Sequence, residues 1–66
     1  MVEIATVSFR DLETQSEAVA VLRGNEDRLH LCLSVASDGD IEVAMNKVAA
    51  QEFLQALRKA VDSLRA

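Results

Sequence analysis

A chain of 66 residues with a single cysteine, Cys32, and a single histidine, His30, has almost no covalent or metallic means of holding itself together. A lone thiol forms no internal bridge, and one Cys with one His falls short of the four ligands of a structural zinc site. A domain this small hides only about 60% of the surface its unfolded chain exposes. Small folds without staples lean on a partner subunit. The first expectation is therefore one domain over residues 1–66, stabilised as a homodimer.

Half of the residues are hydrophobic, but only Phe9 and Phe53 are aromatic, so the apolar content is mostly Val, Ile, Leu and Ala. Such a chain folds and does not stay disordered. No internal repeat, low-complexity stretch or proline marks a linker. The net charge of -4 argues against attraction to nucleic-acid phosphates or anionic membranes and suits a basic protein partner. Met1-Val2-Glu3-Ile4-Ala5 has no cationic stretch ahead of an apolar run, and no segment approaches the ~18 apolar residues of a membrane span. With a free thiol suited to a reducing compartment, these features predict a cytoplasmic protein.

Residues 2–9 are β-branched and aromatic enough for a strand, yet the alternation runs Val2, Ile4 and then Val7, Phe9, which predicts a bulge near Ala5-Thr6. Residues 10–16 are polar apart from Leu12 and read as a connection. Residues 17–23 carry Ala18-Val19-Ala20-Val21-Leu22, whose β-branched density favours a strand, with Gly24 to Asp27 as a hairpin loop. A helix over this segment would change the order to βαββα.

The next two strands are clearer. Over 28–36, Leu29, Leu31, Leu33 and Val35 alternate with His30, Cys32 and Ser34; over 40–45, Ile41, Val43 and Met45 alternate with Asp40, Glu42 and Ala44. Opposed residues share a face, so the reading pairs Val35 with Ile41, Leu33 with Val43 and Ser34 with Glu42. Ser37 and Asp38 then form the turn, with Gly39 in the left-handed position. Asn46 stands as the N-cap of a helix over 47–65, in which Ala50, Phe53, Leu54, Leu57, Ala60, Val61 and Leu64 make one apolar stripe. The expected fold is α+β: an antiparallel four-stranded meander with one C-terminal amphipathic helix across one face, ββββα.

Candidate chemistry is sparse. His30 and Cys32 share a strand face with Glu42, and a thiol, an imidazole and a carboxylate are parts of a nucleophilic or metal site. Same-face neighbours on a strand lie about 7 Å apart, too far for direct proton transfer. Asp38, Asp40 and Glu42 alternate beside Gly39 without the ligand spacing of a calcium loop. No phosphate-cradling glycine motif occurs. The chain is expected to be neither an enzyme nor dependent on a cofactor. Residues 46–66 carry Lys47, Arg58, Lys59 and Arg65 against two acids, net +2, while residues 1–45 carry nine acids against three bases, net -6. The basic helix offers a nucleic-acid reading, weakened by the lack of Trp and Tyr for stacking.

One helix shields only one side of a sheet. The other side would present His30, Cys32 and Ala44 and, by register, either Ala18, Ala20 and Leu22 or Val19 and Val21, a contact surface of short residues. The leading expectation is a small acidic, non-catalytic, homodimeric protein-binding or accessory module using Ala18, Ala20, Leu22, His30, Cys32 and Ala44. The alternative is a ligand-, metal- or thiol-dependent protein built on His30, Cys32 and Glu42.

Overall fold

A computed structural model describes residues 2–65, with the side chains of Ile4 to Arg65. Four strands, β1 (Val2–Arg10), β2 (Glu17–Asn25), β3 (Arg28–Val35) and β4 (Gly39–Asn46), are followed by the helix α1 (Lys47–Asp62). The strands pair antiparallel in the order β1-β2-β3-β4. This is the ββββα, α+β architecture. Residues 17–25 are a strand, and the βαββα alternative is overturned: Ala18 through Gly24 pair with residues on both neighbouring strands, so the ladder satisfies their backbone groups on both sides.

Local chemistry explains the connections. In the segment joining β1 to β2, the Asp11 carboxylate accepts bonds from the Thr14 hydroxyl at 2.6 Å and the Thr14 N–H at 3.0 Å. The Gln15 N–H donates to the Asp11 carbonyl at 2.8 Å, and Gln15 takes φ 62° to close the turn. Between β2 and β3 the hairpin is tighter than the sequence suggests: Asn25 pairs with Arg28, which leaves Glu26 and Asp27 as the loop and places Gly24 inside the strand.

Gly24 matters to β1. A methyl group there would lie 2.6 Å from Ile4 Cδ1, so the bare glycine is the floor on which Ile4 rests. The expected bulge is present and falls at Ile4, between Glu3 and Ala5, one residue ahead of Ala5-Thr6. The extra residue occupies the space that a missing side chain leaves.

The β3–β4 register also differs from expectation. Val35 pairs with Gly39, Leu33 with Ile41, Leu31 with Val43 and Cys32 with Glu42, a slide of two residues. The turn centres on Ala36 and Ser37, with the Asp38 N–H donating to the Val35 carbonyl at 3.0 Å, and Gly39 follows at φ 88°. A left-handed glycine directly after the turn was foreseen; its pairing was not. Because side chains alternate with period two, a slide of two keeps every residue on its expected face.

The register places Ala5, Val7 and Phe9 of β1, Ala18, Ala20 and Leu22 of β2, Leu29 to Val35 in alternation on β3, and Ile41, Val43 and Met45 of β4 on one side of the sheet. Among the described residues this face holds no charged side chain. The helix follows β4 with no intervening loop. Asn46 ends the strand opposite Arg28 and caps α1, its side-chain oxygen accepting the Ala49 N–H at 2.9 Å.

The expectation that α1 roofs the apolar face is not met. The helix backbone runs close to β4 and β3 alone, and of β2 only Leu22 reaches the groove beside it. It has no buried residue; Phe53 remains 45% exposed and Leu57 50%. Tethered directly to an edge strand, α1 lies along one margin of the face. Ala18, at 5% exposure, is the one buried hydrophobic residue among those described.

Candidate functional site

Three surfaces carry the chemistry of this chain: the open apolar face, the polar face behind it, and the outer side of α1.

On the apolar side, α1 leans over the sheet to leave a groove of about 280 Å³. Its walls are Leu22, Leu29, Leu31 and Met45 from the sheet and Ala50, Phe53, Leu54 and Leu57 from the helix, with Lys47 and Gln51 the polar side chains among its lining. A small-molecule site sets a few converging polar groups within apolar walls to fix the orientation of its ligand. This groove has hardly any, and it is suited to apolar side chains. Beyond it the face stays bare: Val7 is 53% exposed and Ile41 63%.

The polar face carries Thr6 and Ser8 on β1, Val19, Val21 and Arg23 on β2, His30, Cys32 and Ser34 on β3, and Asp40, Glu42 and Ala44 on β4. The six expected interface residues are thus divided. His30, Cys32 and Ala44 lie here, while Ala18, Ala20 and Leu22 belong to the apolar face. Pairing of Leu22 with Leu31 and of Val21 with Cys32 decides between the two registers in favour of Val19 and Val21 as neighbours of the thiol.

His30, Cys32 and Glu42 do come together. Cys32 stands directly opposite Glu42, and His30 Nδ1 lies 3.9 Å from Glu42 Oε2 across the ladder diagonal. At that distance the pair is an electrostatic contact and not a hydrogen bond. Glu42 is half exposed, so solvent competes for its charge. Among the described residues, no group of three or more His, Cys, Asp and Glu side chains is placed to hold a metal ion. Asp40, opposite Ser34, and Glu42 point to the polar side, whereas Asp38 sits in the turn. Arg58, Lys59 and Arg65 are exposed on or beyond α1.

Sequence reasoning missed the open apolar face itself. The leucines and valines of β3 and β4 are expected beneath the helix, whereas Ala18, Ala20 and Leu22, which share their face, are expected among the interface residues of the opposite one. The missing signal was length: residue 46 is both cap and strand end, and no linker lets the helix swing back over β1 and β2. Among the described residues no helix is long and apolar enough to cross a membrane. Comparison with protein families, curated proteins and solved structures finds no match to the chain.

Proposed function

We propose that this chain is a non-catalytic homodimeric module that binds another protein, a basic one in keeping with its net charge of -4. The observation that carries this reading is the apolar face without a cover of its own. A contiguous patch of that kind on a small protein marks a contact surface. Light scattering after size exclusion at micromolar concentration tests it. The expected mass is twice the 7.2 kDa of the chain, and a monodisperse species of 7.2 kDa overturns the reading.

A second reading draws on the placement of His30 and Cys32 around Glu42. A thiol- or metal-dependent activity there would be lost in Cys32→Ser. Under the binding-module reading that substitution leaves mass and partner capture unchanged. Loss of bound zinc in a competition titration would favour the thiol site.

A further inference from the structure

Two apolar surfaces on this chain are only half covered by it, and they are complementary to each other. The sheet face around Val7, Phe9 and Ile41 wants a layer upon it; the stripe of α1 around Phe53 and Leu57 wants a surface beneath it. The dimensions agree. The accessible surface is 5494 Å², whereas a compact monomer of this mass exposes about 4,100 Å². The radius of gyration is 13.1 Å against about 11 Å for a compact chain of this length. The excess of about 1,400 Å² falls within the roughly 1,000–2,500 Å² that each subunit of an obligate dimer buries.

Charge selects the same surface. Two copies at -4 each repel, yet the described residues of the apolar face oppose no like charges. The helical segment at net +2 is attracted to the remainder of another copy at net -6. The polar face, with Arg23, His30, Asp40 and Glu42, has no comparable need to leave water.

Resting on the homodimer reading, we infer that a second copy of this chain closes the apolar face. The two copies share one core built from that face and the stripe of α1, and both polar faces point outward. Each copy is the other's missing layer, which is why the single chain has so little interior.

Photo-crosslinking tests the seating. In a Cys32→Ser background, Val7→Cys and Leu57→Cys each receive a benzophenone maleimide, with Ile41→Cys in reserve should either fail to fold. The native chain labelled at Cys32 reports on the polar face with no substitution. Mixed ¹⁴N and ¹⁵N chains distinguish adducts between copies from adducts within one. Interchain adducts from 7 or 57 onto the partner's apolar face or helix, with none from Cys32, are expected. Absence of interchain adducts from both 7 and 57 in a species of twice the chain mass overturns the seating and leaves the homodimer standing. A mass of 7.2 kDa overturns both.

Discussion

Gly39 sits at φ 88° with nothing within 4 Å of where a Cβ would lie. Space is therefore not the constraint; the backbone region is, because an L side chain there crowds the carbonyl that follows. Gly39→Ala is expected to destabilise the fold by about 1 kcal/mol in urea unfolding, and Gly39→Asn by less, since Asn tolerates this region. Equal costs for the two would point to a cause other than conformation. At the other turn, the Asp11 carboxyl is held below its ordinary value, first by the Thr14 hydroxyl and then by the Thr14 N–H. A depressed carboxylate contributes stability that is full above its unfolded value and lost as pH falls through the folded one. Thr14→Val removes the larger cause, so the Asp11 carboxyl should titrate higher in a carbon NMR experiment. An unmoved titration would show that the backbone donor alone sets it.

The elements divide cleanly into those legible from sequence and those that were not. β3 and β4 announce themselves through Leu29 to Val35 and Ile41 to Met45, because period-two alternation is dictated by the pleat itself. Their register was not legible, since a slide of two residues leaves the same apolar face and only the turn distinguishes the choices. β2 was open to a helical reading because Ala and Leu suit both states; pairing on both sides decided it. The start of α1 could be read to the residue from Asn46. Asn46→Ala is expected to lower stability by about 1 kcal/mol, measured as a shift in the thermal transition followed by helical circular dichroism. No shift would mean that the strand pairing of Asn46 with Arg28 holds the helix start without the side chain. The triad of His30, Cys32 and Glu42 was grouped correctly by face, but its geometry depended on the register: Glu42 faces Cys32 and not Ser34.

For the molecule as a whole, the sequence predicts a fold that leans on a partner, and the structure locates the exposed apolar surface. It lies on one side, in a slab 35 by 28 by 16 Å. The expected interface drew on both sides of the sheet, because a pattern of residues tells which ones share a face but not which face the helix will leave bare. That depends on the junction of β4 with α1.

At that junction one peptide fixes how the helix leaves the sheet, for Asn46 belongs to the sheet and Lys47 to the helix. Each added helical residue turns a helix by about 100°. A single alanine inserted after Asn46 would therefore leave every strand pair intact while aiming Phe53 and Leu57 away from the groove. Such a chain should keep its sheet signal in circular dichroism yet lose the doubled mass. If the doubled mass survives, the copies are not held by the helical stripe. The pitch at which two copies lean together would then be written somewhere other than in the absent loop.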